Sequence, residues 1–538
     1  MDDSLCSKCG NLFTSGPTDV FDVTVAPGTR HYTLLNTNEP PDDSDMAFIH
    51  SVISKSSVRL AFLDDKIVKL RETVKKLEDE RVSLAVFQTE NRRVLSPSRR
   101  IPSEVLGEIF SWTLPSIGNA LSVDTFNIAR SPWLLTHVSS RWRAVSISIP
   151  SLWSRIIIDY SEDTEIGPTN YPLNLAKTLV QRAQKLTIHF YGCSETESSR
   201  QIQMLEFILQ HSSHWEELSL GITSTMLPFV AAFHGQVSSL KRLWIQWEHD
   251  LLMLDPTISS IDCFQSAFSL LDFGVRQYIP VPVPVHQLTR YHGDGFLEEQ
   301  LDVLELASGL VEARINITGH RIPLSDEAVE LPSLRRLYVT YAAVLHNLKA
   351  PALEGLAVRK RQYEHPDISP VGLFLARSAC PLQRLSLTGH HHEETTIQLL
   401  QRLPSLTEFV FAIEDPDARH HIDLVMSALI ISTAPGSTAL APQLQCIVLE
   451  SKDVDYELHL AMLQSRRRAT QCPLRYAALY TQRAGPDPLT FHGHQKLRRE
   501  GLDLMVVMGA AAHQEAKHWY YADEICYTKQ HPAPSVLV

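Results

Sequence analysis

"LPSLRRLYV", Leu331 to Val339, is the stretch on which the reading of this chain turns. Its apolar residues fall as Leu334-x-x-Leu337-x-Val339, so the last two share one side of an extended segment and the first anchors the turn before it. Pro332 suits that turn, because its ring fixes φ and pushes the preceding residue toward extended backbone. The same apolar-x-x-apolar-x-apolar phrase recurs as "AQKLTI" from Ala183, "WEELSL" from Trp215, "LKRLWI" from Leu240, "LEGLAV" from Leu353, "LQRLSL" from Leu382, "LTEFVF" from Leu406 and "LQCIVL" from Leu444. "APAL", "LPSL" and "APQL" repeat the proline turn before Leu353, Leu406 and Leu444. Helical periodicities such as "IQMLEFILQHSSHW" and "ETTIQLLQRL" run between the phrases.

A strand phrase recurring at intervals scattered around 20 to 29 residues is the pattern of leucine-rich repeats, here degenerate. Three further copies are expected between Leu240 and Leu334, around "FSLLDFGV", "VHQLTRYHG" and "LVEARINI", with "VPVPV" as an extended turn. The fold expected is α/β: an irregular leucine-rich-repeat-like solenoid over residues 170–510, its parallel strands offering a concave surface to a partner. An irregular α/β domain with the same local pattern is the plainer alternative, and the repetition argues against it. "LRREGLDLMVVMG" near the end predicts a closing helix, turn and strand, and residues 511–538 are expected to be a tail.

The chain has 538 residues, enough for several cores, with 44% hydrophobic and 20% charged residues, ordinary values for a folded globular protein. Its net charge of −12 argues against nucleic acid as a partner. The longest basic run, "SRRR" at Ser465 to Arg468, predicts a solvated helix end rather than a phosphate site. No stretch reaches the roughly 18 apolar residues of a membrane span, and the start has no basic-then-apolar leader, so no membrane is expected and the protein is expected to be intracellular, cytoplasmic or nuclear. Eight cysteines at irregular intervals do not form a disulfide framework, in keeping with a reducing compartment. "NIT" at Asn316 to Thr318 matches a glycosylation acceptor but reads as an alternating strand.

Ahead of the repeats, residues 1–49 are polar and broken by Pro and Gly, and predict a disordered tail. A heptad helix is expected over 50–95, with Leu60, Ile67 and Val74 at one seam position and Leu63, Leu70, Leu77 and Leu84 at the other. Arg81 interrupts that seam, and Lys66 would oppose Arg71 in a parallel pair, so folding back on its own chain is expected over self-pairing. "IPSEVLGEIFSW", Ile101 to Trp112, predicts a short helix with Pro102 in its first turn and Ile101, Val105, Leu106, Ile109 and Phe110 on one face. A second helix is predicted from "SPW", capped by Ser131, with Leu134, Leu135, Val138, Trp142 and Val145 together; "LWSRIIID" is a third apolar piece opened by Trp153.

"RRIPSEVLGEIF" followed by "WLLTHVSSRWRAVSISIPSLWSRI" resembles an F-box, with Ile101 in place of the usual Leu, Ser139 in place of the common Cys, and a longer loop between Phe110 and Trp133. With the preceding heptad helix it is similar to the large F-box-like families of mushroom-forming fungi. The resemblance implies an F-box-like domain over 97–158 that binds a Skp-type adaptor, and through it a cullin-RING ubiquitin ligase of the SCF type. The adaptor-binding residues it implies are Ile101, Pro102, Val105, Leu106, Ile109, Phe110, Leu134, Val138, Trp142 and Trp153, with Phe110, Trp142 and Trp153 as aromatic anchors. It further implies a non-catalytic subunit that recognises a target protein through the repeats. The alternative is a scaffold outside any ligase, whose F-box-like helices cap the solenoid.

Other chemistry is sparse, and no cofactor and no bound metal are expected. "CSKC" at Cys6 to Cys9 has metal-knuckle spacing, but the next cysteine is Cys193 and only His31 is near in sequence. "GHHHEE" at Gly389 to Glu394 and "RHHID" at Arg419 to Asp423 cluster imidazoles with carboxylates; adjacent histidines diverge, so both are expected to be solvated loops. A metal-dependent enzyme built on His390 to Glu394 is the remaining reading, and it requires stoichiometric metal. No nucleotide-binding glycine loop and no Gly-x-Ser-x-Gly elbow occur.

Overall fold

The computed structural model describes residues 21–114, 125–160, 172–193, 198–247, 260–276, 280–317, 328–360, 369–413, 419–432, 439–469 and 472–509, with Ala512 and Ala516 beyond them. Cys6, Cys9 and Thr318 lie outside the described residues. The chain divides into two compact units, residues 1–102 and 103–538.

In the first unit, helix α1 (Arg30–Asn36) is capped by Thr29, whose side chain accepts from the Tyr32 N–H. Helix α2 (Asp43–Val94) runs for 52 residues behind a capping box of Asp42 and Asp45. The expected tail thus contains a helix, and α2 starts seven residues ahead of the predicted position 50. The acid-rich "PPDDSD" reads as a breaker, yet two aspartates three apart satisfy the first N–H groups of a helix. None of the α2 residues is buried, so the heptad seam, expected to fold back on the chain, is exposed along its length.

The second unit is mixed α/β around one large parallel sheet. Its strands are β1 (Arg155–Asp159), β2 (Leu186–Tyr191), β3 (Trp215–Ile222), β4 (Arg242–Trp247), β5 (Asp272–Arg276), β6 (Arg290–Gly295), β7 (Glu312–Ile317), β9 (Arg336–Val339), β11 (Gly355–Lys360), β12 (Arg384–Gly389), β13 (Glu408–Ile413), β14 (Cys446–Ser451), β15 (Tyr476–Thr481) and β16 (Asp503–Met508). They pair in chain order, and β8 (Val329–Glu330) and β10 (Leu348–Lys349) pair separately. Every quoted phrase lies on a strand, including the three expected between Leu240 and Leu334 (β5, β6, β7). Two strands of the large sheet carry none of these phrases. Arg155–Asp159 is the sheet's first strand rather than part of the head, and Tyr476–Thr481 is masked in sequence because alanine fills a phrase position, in Leu474-x-x-Ala477-x-Leu479.

The phrase explains the packing. Its first residue is buried on every strand of the large sheet from β4 to β15: Leu240, Leu270, Leu288, Leu310, Leu334, Leu353, Leu382, Leu406, Leu444 and Leu474 are at most 1% exposed. The next two, such as Leu337 and Val339 or Phe409 and Phe411, point to one side of the sheet and are equally buried. Each such side chain contributes about 2 kcal/mol on leaving water, so the stack of phrases is the core. Helix Leu297–Leu306 seats on that side: Gln300 Oε1 accepts from the Tyr291 hydroxyl at 2.6 Å, and a Cβ at Gly293 would collide with the same side chain.

Three expectations change here. Arg466 of "SRRR" is fully buried rather than solvated; it donates to Leu429 O at 2.9 Å, Ala441 O at 3.1 Å and Leu440 O at 2.6 Å, tying helix Tyr456–Arg468 to its neighbour. In the expected tail, Ala512 and Ala516 are helical and buried in one cluster with Val410, Val448, Ala478 and Tyr480. The predicted second head helix is broken: α4 (Leu135–Val138) ends at Ser139, which is extended and caps α5 (Ser140–Ser148) by accepting from Trp142 N. Ser131 is not its cap, and Ser131-Pro132 is a cis bond. No helix among the described residues is long and apolar enough to cross a membrane.

Candidate functional site

The head is α3 (Ser103–Trp112), α4, α5 and the turn Pro150–Trp153. It closes a small core of its own from Leu106, Phe110, Leu135, Val145, Leu152 and Trp153. Trp142 is half-buried with its ring 4.8 Å from that of Phe110. Trp153 donates to Ser146 O at 2.8 Å and Trp133 to Thr125 O at 3.0 Å, and the two rings meet edge-on at 5.2 Å. Arg143 donates to Thr136 O at 2.8 Å, which fixes the break between α4 and α5.

This arrangement divides the ten sequence-assigned residues. Leu106, Phe110 and Trp153 are at most 1% exposed, so these three, two of them expected as anchors, are spent on the head's own closure. Trp153 also lies under the guanidinium of Arg182, 4.2 Å from the ring centre, on helix α6 (Leu173–Arg182) behind β1. Burial, and then the neighbouring Arg143, lower the Arg182 pKa. By contrast Val105, Ile109, Leu134 and Val138 are exposed by 43–53%, Pro102 is exposed, and Ile101 is half-buried. Val105 and Ile109 continue to Trp112, 87% exposed, at spacings of four and three, which makes one apolar stripe along α3. Trp112 was not among the assigned residues; the same spacing in "VLGEIFSW" identifies it.

A second feature lies on the other side of the sheet, on the residues between the buried ones. In register across the strands run Glu217, Arg242, Asp272, Arg290, Glu312 and Arg336. Their charges alternate and pair: Arg242 with Glu217 at 2.6 Å, Arg290 with Asp272 at 3.8 Å and Glu312 at 3.0 Å, Arg336 with Glu312 at 3.2 Å. Arg384 and Glu408 continue the row at 2.8 Å. Burial raises Asp272 to about 6 and also raises Glu217, against the pull of Arg242.

The next row in register holds His189, Ser219, Trp244, Gly274, His292, Arg314 and Tyr338. Trp244 lies 4.7 Å from His292 across Gly274, where any Cβ would strike the indole. Arg314 stands 4.9 Å over the Tyr338 ring. Burial holds His189 near 4 and His292 well below its usual value, so both are neutral acceptors and donors at pH 7. His189, Ser219, Trp244, His292 and Tyr338 are at most 5% exposed, so what this side offers a polypeptide is the row of arginines, 35–47% exposed and paired to buried acids. The sequence signal for the ladder is the residue before the second apolar position of each phrase, which reads Glu, Arg, Asp, Arg, Glu, Arg from β3 to β9.

The chain matches no family model, and no curated protein matches it. The case for function therefore rests on the two surfaces just described. The His390 to Glu394 and Arg419 to Asp423 segments also depart from expectation, because His392, Glu393 and His421 come together.

Proposed function

We propose that this chain is an F-box-like substrate receptor, the non-catalytic subunit of an SCF-type cullin-RING ubiquitin ligase. The head binds a Skp-type adaptor, and the polar side of a leucine-rich-repeat-like solenoid binds the target protein. The supporting observation is that α3 keeps Val105, Ile109 and Trp112 in water although the head has already closed its core around Leu106 and Phe110. Aliphatic and aromatic residues held exposed on a short helix are what a partner groove takes up. The chain-order parallel sheet, with its buried leucine rows, supports the repeat reading. The chain's contribution would be proximity, holding a target lysine near the charged ubiquitin carrier.

The second reading, a scaffold whose head caps the solenoid, is favoured by Trp153 against Arg182. The two predict different exposed surfaces, because a cap needs nothing on its outer side. The test is titration of the full-length chain with a Skp-type adaptor. Val105→Asp with Ile109→Asp should weaken binding about 1000-fold, since two anchors of roughly 2 kcal/mol each are lost. Far-UV circular dichroism should be unchanged, because neither side chain is in the core. Absence of wild-type binding, or binding indifferent to the double substitution, would overturn the proposal and leave the cap.

A further inference from the structure

Two histidine-rich segments that each diverge locally converge in space. His392 caps helix Glu393–Gln401, and its carbonyl accepts from the hydroxyls of Thr395 and Thr396 at 3.0 and 2.9 Å, which fixes the backbone there. His421 is in the first turn of helix Arg419–Leu429, the next helix along the sheet. Its Nε2 is 3.4 Å from Glu393 Oε2, and the His392 and His421 rings are 5.6 Å apart at 33°. One ring nitrogen from each histidine and a Glu393 oxygen all lie within 4.8 Å of one another.

We propose that His392, Glu393 and His421 bind a divalent transition metal of the zinc type. Two imidazoles with one carboxylate form a three-ligand set that zinc accepts with a fourth position left to water. Ligands 2.0 to 2.1 Å from a tetrahedral ion stand about 3.4 Å apart, which is the His421–Glu393 separation; the third ligand needs a shift of about 1 Å or less per side chain. Glu393 Oε2 supplies the second observation: it is buried, and among the described residues no group donates a hydrogen bond to it. A desolvated carboxylate oxygen facing an imidazole nitrogen at 3.4 Å without a formed hydrogen bond is costly, and a cation between them removes that cost. His392 is exposed and the other two half-buried, so an ion can enter from solvent. Bound there, it staples the ends of two neighbouring helices.

The site is tested on the full-length chain carrying Cys6→Ser and Cys9→Ser, so that the amino-terminal cysteines contribute nothing. After chelation, Zn²⁺ is titrated calorimetrically and Co²⁺ is used as the visible-absorption probe. The expected result is one equivalent bound at micromolar Kd or tighter, with tetrahedral Co²⁺ bands. His392→Ala and His421→Ala should each weaken binding by at least about tenfold, and Glu393→Gln likewise, with unchanged circular dichroism. The exposed His214→Ala should bind as the parent does. Binding weaker than about 100 μM, or an equivalent retained by His392→Ala/His421→Ala, would overturn the assignment.

Discussion

Strands β3 to β9 and strands β13 to β15 follow the same local phrase, yet their polar-side positions are treated in opposite ways. In the earlier stretch one register row reads Ser219, Trp244, Gly274, His292, Arg314, Tyr338; in the later one it reads Val410, Val448, Ala478. The polar row is flanked by arginines that pair with buried acids and still reach water; Arg242 and Arg290 are 40% and 47% exposed. The apolar row is covered by the chain's own Ala512 and Ala516. The apolar half of each phrase specifies the strand, and the residues between decide the chemistry of the other side: Ser219, Trp244, His292 and Tyr338 are themselves at most 5% exposed, and the earlier strands reach water through their arginines. On this comparison the target-binding surface proposed above belongs to β3–β9, and the β13–β15 end is structural.

The largest expected effect tests whether the later end is the more rigidly tied. Arg466 donates one hydrogen bond to each of three carbonyls behind that end. Arg466→Ala would strand buried acceptors worth about 1 to 3 kcal/mol each, for a loss on the order of 4 kcal/mol. Chemical denaturation of the two proteins measures it. A change below about 1 kcal/mol would show the clamp to be incidental.

Acidification comes next, and it acts on both regions. Burial depresses His189 to about 4, His459 to about 3 and His494 to about 4, and holds His292 well below its usual value; His459 and His494 face each other at 3.2 Å. These groups are neutral when folded but protonate near 6.5 when unfolded, so their stability is present above that value and is lost as pH falls toward 4. Asp272, raised to about 6, and Glu217, also raised, act with the opposite sign, gaining stability as pH falls. Four imidazoles against two carboxyls leave a net uptake of protons on unfolding, so stability falls as pH drops from 6 to 5. Thermal melts across that range check the sign, since a flat or rising Tm contradicts it. Hydrogen exchange at both pH values separates the polar stretch, with His189 and His292, from the helix layer, with His459 and His494.

Legibility follows the same division. The strands and the buried rows were readable because leucines recur at fixed offsets and turns need proline. The paired ladder was present as alternating charge at one phrase position, but no single phrase reveals it, since pairing exists only across register. The head separated similarly: helical spacing put Val105, Leu106, Ile109 and Phe110 on one face, whereas burial split them, because a helix packed on α5 hides only part of a wide stripe. Arg466 and the meeting of His392 with His421 were illegible, as both depend on which turn of one helix faces the next.

Ala516→Asp probes the cover itself. A carboxylate at 516 would be desolvated among Val410, Val448 and Ala478, so the segment should either lift away or carry a penalty of roughly 2 kcal/mol. Limited proteolysis near the carboxy terminus should accelerate while cleavage elsewhere does not. Equal cleavage of both proteins would mean that the cover is not what shields those strands.

The smallest effect separates a buried ladder from a surface pair. Glu312 is 3% exposed and takes both Arg290 and Arg336, whereas Glu216 is 31% exposed and pairs with Lys241 at 2.7 Å and Lys185 at 3.3 Å. The hydrogen bond of Lys241 holds Glu216 below the usual carboxylate range, but that pair is bathed in water and salt. Glu312→Gln keeps the shape and removes the charge between two arginines, at a cost of about 1.5 kcal/mol once their own exposure is discounted. Lys241→Ala should cost under about 0.5 kcal/mol and vanish at high salt. If the two substitutions cost the same, the ladder is ordinary surface charge, and the distinction drawn between the two ends of the sheet loses its electrostatic basis.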